Sequence, residues 1–136
     1  MASQVQSIVN KVGVIIGVQV AGSTVLEGTR VQEEIDTDEL PFFQLFGASR
    51  DTIEVMPWRQ YRRAVQFFVL GSFKGLTPEQ IWADFDLIEA GLDADHRLTN
   101  TVIFVHIASA VLDETPATDT DFQTLLFTVE AEVLDS

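Results

Sequence analysis

Apolar residues near the start of the chain recur at the spacing of one helix face. This spacing predicts a helix over Ser3–Ala21, with Ser3 as its N-cap and an apolar stripe made by Val5, Ile8, Val9, Val12, Ile15 and Ile16. β-Branched residues and glycines crowd the second half of this segment. A strand beginning near Val14 is therefore the competing interpretation.

A second helix is predicted over Thr77–Ala94. Thr77 is suited to the N-cap, Pro78 to the first helical position, and Gln80 to the third, which together make a capping box. The inward stripe of this helix is predicted to consist of Ile81, Phe85, Ile88 and Leu92.

Alternating polar and apolar residues predict the strands. Five segments fit this pattern: Thr29–Ile35, Leu40–Phe46, Gln60–Leu70, Thr101–Ser109 and Phe122–Leu134. Three segments are predicted as turn or loop: Gly22–Gly28, Gly47–Asp51 and Gly71–Leu76. In the last strand, Leu125, Phe127, Val129, Ala131 and Val133 are predicted to face the core, and Thr124, Thr128, Glu130 and Glu132 to face outward.

The order of these elements predicts an α+β fold in one domain over residues 1–136. We expect a mainly antiparallel sheet with two helices packed on one face. The last two strands, with the acidic turn between them, predict a long C-terminal β-hairpin.

Charge and composition narrow the classes of function. The formal net charge is −13, so most of the surface should repel nucleic acid and anionic membranes. The chain has no cysteine, which excludes disulfides, thiolate nucleophiles and zinc–thiolate sites. The apolar run Val12–Val20 is well short of the roughly 20 residues that a membrane span needs.

No catalytic pattern stands out among the residues that commonly do chemistry. His96 lies in a polar segment, and His106 lies in a predicted strand, where a hydrogen-bonded structural role is favoured over catalysis. The Ser nucleophile elbow of hydrolases is absent. In Gly71–Thr77 the lysine precedes the second glycine, so the segment is not a phosphate-binding loop.

Two charged clusters are candidates for contact surfaces. An acidic turn contains Asp113, Glu114, Asp119 and Asp121, but it lacks the oxygen spacing of a calcium loop. A basic and aromatic cluster contains Trp58, Arg59, Tyr61, Arg62 and Arg63, residue types that dominate protein–protein contacts. Solvated arginines at the start of a strand are the alternative interpretation of this cluster.

The order of elements resembles the tail terminator (tail-to-head joining) proteins of long-tailed bacteriophages. The matching features are the N-terminal amphipathic helix, Asp38–Pro41 leading into a strand, Arg62 and Arg63 opening a long strand, the Thr77–Ala94 helix, and the closing hairpin with Thr128–Val133. The resemblance is one of architecture and order over most of the chain, without a diagnostic short motif.

This resemblance implies a structural virion protein with no catalytic residues, cofactor or metal. It implies a homo-oligomeric ring, usually a hexamer, that caps the tail tube, ends its polymerisation and joins it to a head completion or connector protein in the neck. The location implied is the virion tail or neck, after assembly in the host cytoplasm. DNA would pass through the ring without specific binding, and no membrane is involved.

Under this hypothesis the two clusters have separate roles. Trp58, Arg59, Tyr61, Arg62 and Arg63 are predicted to contact acidic residues of an adjacent copy. The acidic positions Asp113, Glu114, Asp119, Asp121, Glu130 and Glu132 are predicted to face the channel or a partner. The alternatives are another head–tail connector or neck component, a tail tube subunit, or a small dimeric α+β binding module. We found no constellation that supports an enzyme.

Overall fold

Helices lie against one face of a sheet in the computed structural model of the chain. The structure describes residues 4–28, 41–57, 60–98, 102–113 and 122–135. In chain order the elements are α1 (Gln4–Gln19), β1 (Thr24–Glu27), β2 (Phe42–Met56), β3 (Gln60–Lys74), α2 (Pro78–Ala94), β4 (Phe104–Asp113) and β5 (Phe122–Asp135).

The five described strands form one sheet in the order β1-β2-β3-β5-β4. The short β1 pairs with β2 in parallel, and all other pairs are antiparallel. Because β5 lies between β3 and β4, those two strands run in the same direction, and α2 connects them across the helical face. The α+β class, the mainly antiparallel sheet and the C-terminal hairpin of β4 and β5 are thus confirmed.

The core lies between this sheet and both helices. The alternation of each strand brings large apolar residues to one face, and Val65, Phe67 and Val69 of β3 are fully buried there. α1 and α2 supply the opposite wall through their predicted stripes. The buried positions of that wall are Ile8, Val9, Val12, Ile16, Ile81, Phe85, Ile88 and Leu92.

The predicted capping box sets the start of α2. The Thr77 backbone N–H donates to Gln80 Oε1 at 2.9 Å, and the Gln80 backbone N–H donates to Thr77 Oγ1 at 3.3 Å. These two bonds satisfy N–H groups that have no partner within a helix. The sequence pattern therefore located this helix start correctly.

The two helices approach each other at Gly91. A Cβ atom at this position would lie 2.6 Å from Cγ of Gln19 and 2.9 Å from Cγ2 of Ile15. Such distances are far inside van der Waals contact, so a glycine lets α2 pack directly on α1.

Several predicted boundaries are wrong in the same direction, because the strands are longer than expected. The turn predicted at Gly22–Gly28 contains β1, and the loop predicted at Gly47–Asp51 lies inside β2. β2 continues through this segment because a register shift between Phe46 and Ser49 accommodates Gly47 and Ala48 without ending the pairing with β3. The first four residues of the loop predicted at Gly71–Leu76 belong to β3.

The structure of the first helix decides between the two interpretations of its second half, helix or strand. α1 continues as a helix to Gln19, so the competing strand beginning near Val14 is wrong. Burial of Val12, Gly13 and Ile16 against the sheet outweighs the unfavourable helix propensity of this half. Ser3 and the strand predicted at Thr29–Ile35 lie outside the described residues. Neither described helix is long and apolar enough to span a bilayer.

Candidate functional site: the open face of the sheet

The face of the sheet opposite the helices carries most of the predicted site residues that the structure describes. We call this surface the open face. Register places on it, from β2 to β4, the rows Gln44–Leu70–Leu126–Val111, Phe46–Phe68–Thr128–Ser109, Ser49–Gln66–Glu130–His106 and Asp51–Ala64–Glu132–Phe104. One end of the face, at Phe42, Gln44 and Ser72, is buried. The charged end is exposed or half-buried.

Arg62 lies between two carboxylates at the charged end. Its Nε is 3.1 Å from Oε1 of Glu132, and its Nη2 is 3.6 Å from Oε2 of Glu54. Glu54 is the direct cross-strand partner of Arg62 on β2, and Glu132 lies diagonally across on β5. The guanidinium therefore partly offsets the charge of two neighbouring acids within its own chain.

His106 and Glu130 form a second cross-strand pair. Nε2 of His106 is 3.3 Å from Oε2 of Glu130, and both side chains are roughly half-exposed. The His106 ring also stacks on Phe104, with ring centres 5.4 Å apart. The predicted hydrogen-bonded role of His106 fits this arrangement, although the side chain is at the surface and not in the core.

These residues line a shallow groove across the open face. The groove has a volume of about 190 Å³ and is bounded by Asp51, Ile53, Gln66, Phe104, His106, Glu130 and Glu132. Pockets that enclose a drug-sized ligand are larger, on the order of 300–1,000 Å³. Within the described part of the chain, no three His, Asp or Glu side chains form a group that could hold a metal ion.

The predicted basic cluster divides between the two faces of β3. Arg62 is on the open face, whereas Arg63 and Tyr61 point to the opposite side, where the Arg63 guanidinium lies 4.9 Å from the centre of the Tyr61 ring. Trp58 and Arg59 lie outside the described residues. The cluster is thus not one continuous patch, and its predicted contact with another copy stays a prediction.

The structure describes three of the six predicted acidic positions. Glu130 and Glu132 are neighbours on the open face, and the exposed Asp113 ends β4. Glu114, Asp119 and Asp121 lie outside the described residues. Away from this face, partial burial on α2 raises the pKa of the Asp84 carboxyl.

Gly71–Thr77, the segment that superficially resembles a phosphate-binding loop, is held by hydrogen bonds to another part of the same chain. The Leu76 backbone N–H donates to Oε1 of Gln123 at 2.9 Å, and Nε2 of Gln123 donates to the Leu76 carbonyl oxygen. This double contact fastens the loop between β3 and α2 to the start of β5. Both the backbone N–H and the carbonyl oxygen of Leu76 are thus paired within the protein.

Sequence reasoning missed the contribution of β2 to the open face. Asp51 and Glu54 lie beside Ala64 and Arg62 of β3, although the sequence pattern predicts a loop at Gly47–Asp51 and none of the predicted strands includes Glu54. A single strand with a bulge would have predicted both acids on one face. The signal was hidden because Gly47 and Ala48 interrupt the alternation.

Comparison with known proteins gives little further guidance. No family model matches the chain, and no curated protein matches it. Among solved structures, a chain from the "Virion of native gene transfer agent (GTA) particle" is similar, with a TM-score of 0.45 and 11 % sequence identity over 88 % of this chain and 84 % of that chain. At this TM-score and identity, we infer nothing about function from the similarity.

Proposed function

We propose that the chain is a structural virion protein. In finer terms, it is the subunit of a ring, a hexamer, that caps the tail tube, ends its polymerisation and joins it to the head connector. It has no catalytic role. The observation that carries this proposal is the open face, a sheet surface on which no described helix packs and on which four carboxylates share the surface with Arg62, two of them paired with it.

Charge explains why such a surface suits a DNA channel. Asp51, Glu54, Glu130 and Glu132 lie on the open face, and Arg62 offsets only part of their charge. A ring repeats this surface in every copy, so a channel lined by it would carry a field that repels phosphates. DNA would then pass without binding, because release of counterions by cationic groups supplies most non-specific DNA affinity.

The order of elements supports the proposed role as a ring that caps the tail tube. Four of the features on which the resemblance to tail terminators rests are present in the fold: the N-terminal helix, the long strand with Arg62 and Arg63 near its start, the capped α2 and the closing hairpin. Most of the fifth feature, Asp38–Pro41, lies outside the described residues. In such a ring the open face would line the channel, and neighbouring subunits would meet at other surfaces.

Tube growth gives the direct test. Purified tail tube protein is allowed to polymerise with and without the chain, and tube lengths are measured by negative-stain electron microscopy. We expect shorter tubes, each with a ring at one end. Tubes of unchanged length and bare ends would reject the capping role.

A charge variant tests the channel separately. Glu130→Lys changes the open face, and Glu89→Lys makes the same charge change on an exposed position of α2. In a gel-shift assay at moderate salt, we expect the assembled Glu130→Lys protein to retain linear DNA and the Glu89→Lys protein to resemble the wild type. Equal DNA retention by both variants would contradict a channel lined by the open face.

A further inference from the structure

The middle of the open face is apolar. Cross-strand pairing places Leu70 beside Leu126 and Leu126 beside Val111, and next to them the rings of Phe46 and Phe68 lie with their centres 5.9 Å apart. We call these five residues the apolar patch. Val111 is 64 % exposed, Leu126 is 40 % exposed, and the other three are half-buried. Contiguous apolar surface that stays in contact with water is a common mark of an interaction site.

The charged end of the open face adjoins the apolar patch and is acidic. Its four carboxylates and one guanidinium carry a formal charge of −3, and they belong to Asp51, Glu54, Glu130, Glu132 and Arg62. Leu126 and Glu130 are four residues apart on β5, which is about 13 Å along the strand. A partner that spans both regions therefore needs apolar groups at one end and cations at the other.

The pairing of the strands restricts the form of a segment that can bind to this face. The backbone groups of β3 and β5 pair with neighbouring strands on both sides, so they are not available to an added segment. A segment that lies on the face must satisfy its own backbone hydrogen bonds, as an α-helix does. The opposite face of the same sheet packs two helices in this way. A helix spans about 13 Å with about nine residues.

Charge identifies the kind of molecule that can supply this helix. A DNA duplex is repelled by the charged end. The helices of a second copy do not supply the cations, because α2 contains no Lys or Arg and α1 contains only Lys11. A complementary helix therefore belongs to a different protein and carries basic residues beside apolar ones.

We propose that the open face binds a basic amphipathic helix of another protein. Its apolar side chains lie on the apolar patch, and its Lys or Arg side chains lie at the charged end. The groove bounded by Asp51, Phe104 and Glu130 is located where these cations bind, and it offers them two carboxylates and a partly exposed aromatic ring.

This inference stands on the surface of a single copy and does not rest on the proposed function. In a ring whose channel is lined by the open face, the bound helix would have to leave before DNA passes. We therefore expect reversible binding. Because ion pairs at an exposed surface are screened, the affinity should fall as the salt concentration rises.

Two labelled peptides of the same composition provide the probe. Both are alanine-based helices of about 18 residues that contain leucine and arginine. In the ordered peptide, made in both sequence directions, the leucines occupy one half of a helix face and the arginines the other half of the same face. In the scrambled peptide, the same residues are spread around the helix, so the general attraction to the acidic chain is equal.

Fluorescence anisotropy measures the affinity of the wild-type chain for each peptide. The ordered peptide, in its better direction, should bind at least about tenfold more tightly than the scrambled peptide. Equal affinities would show only general attraction between opposite charges and would overturn the proposal. Absence of binding by either peptide would overturn it as well.

Substitutions locate the binding site. Leu126→Gln and Glu130→Gln each alter one region of the open face, whereas Leu87→Gln and Glu89→Gln make the same changes at exposed positions of α2. The two open-face variants should each bind the ordered peptide about three- to tenfold more weakly than the wild type, and the two α2 variants should bind it like the wild type. Equal effects of the two pairs would contradict binding at the open face. Circular dichroism of each variant confirms that the fold is retained.

Backbone chemical shifts of the wild type give a test that needs no variant. When the ordered peptide is added, the amide resonances of β3 and β5 should shift more than those of α1 and α2. Shifts confined to the helices would place the peptide elsewhere and overturn the proposal. Self-association that Leu126→Gln abolishes, without binding of either peptide, would show that a second copy covers the apolar patch and would also overturn it.

The inference and the proposed function can fail independently. If the wild type shortens tail tubes but binds both peptides equally, the helix-binding inference is wrong and the capping role stands. If the wild type binds the ordered peptide selectively but leaves tube length unchanged, the helix-binding inference stands and the capping role is wrong.

Discussion

The two faces of the central strands β3 and β5 differ although they share the same backbone. On the helix-covered face, Val65, Phe67, Phe127 and Val129 are fully buried. On the open face, the adjacent positions Gln66, Phe68, Thr128 and Glu130 are half-buried. Because strand side chains alternate, one sequence supplies two surfaces with different tasks.

This difference separates folding from assembly. The covered face brings together Trp82, Phe85 and Phe127, whose rings meet edge to face at centre distances of 5.5 and 5.4 Å. The open face has cross-strand ion pairs that stabilise a folded chain weakly when they are solvated. We therefore expect changes on the covered face to reduce stability, and changes on the open face to alter contacts with other molecules.

Phe127→Ala should have the largest effect on stability. Loss of a fully buried ring typically costs about 3–5 kcal/mol, because the cavity that remains adds to the lost transfer free energy. Leu126→Ala is the control on the open face, where Leu126 is 40 % exposed, and it should cost less than about 1 kcal/mol. Urea denaturation measures both values. Equal losses of unfolding free energy in the two variants would contradict the division between the two faces.

Gly91→Ala tests the helical layer. Alanine favours a helix by roughly 1 kcal/mol over glycine, but here its Cβ would overlap Gln19 and Ile15, and overpacking typically costs about 1–3 kcal/mol. Gly17→Ala is the matched control, because its Cβ would meet only Val25 at an ordinary 3.8 Å. In thermal denaturation, Gly91→Ala should lower the midpoint and Gly17→Ala should leave it unchanged or raise it. A higher midpoint for Gly91→Ala would show that α1 and α2 pack less closely.

The Arg62–Glu132 pair should contribute the least to the free energy of unfolding. A double-mutant cycle with Arg62→Gln and Glu132→Gln should give a coupling free energy of about 0.2–1 kcal/mol, since Arg62 is 40 % exposed and salt screens such pairs. The coupling, measured by chemical denaturation, should fall at high salt. A coupling above roughly 2 kcal/mol that is insensitive to salt would mean that the open face contributes to folding as the core does.

The sequence pattern predicted the helices and the paired strands well, for a physical reason. Burial on one side of an amphipathic element leaves a periodic signal, and the inward residues of α2 and β5 were predicted correctly from it. The capping box similarly marked Thr77, because two local hydrogen bonds suffice to specify a helix start. These features depend on neighbours within a few residues along the chain.

Features that depend on distant residues were harder to predict. The length of β2 was missed, because pairing with β3 holds the strand together through Gly47 and Ala48. The position of β5 between β3 and β4 has no local signal. For the same reason, the ion pairs of Arg62 with Glu54 and Glu132 could not be foreseen, since three strands must align before the side chains meet.

The mass of the wild-type chain in solution tests the central claim most directly. Native mass spectrometry over a dilution series should show a hexamer of the 15.1 kDa chain at high concentration and its dissociation on dilution. A chain that stays monomeric at every concentration would contradict an account in which copies assemble so that their open faces line one channel.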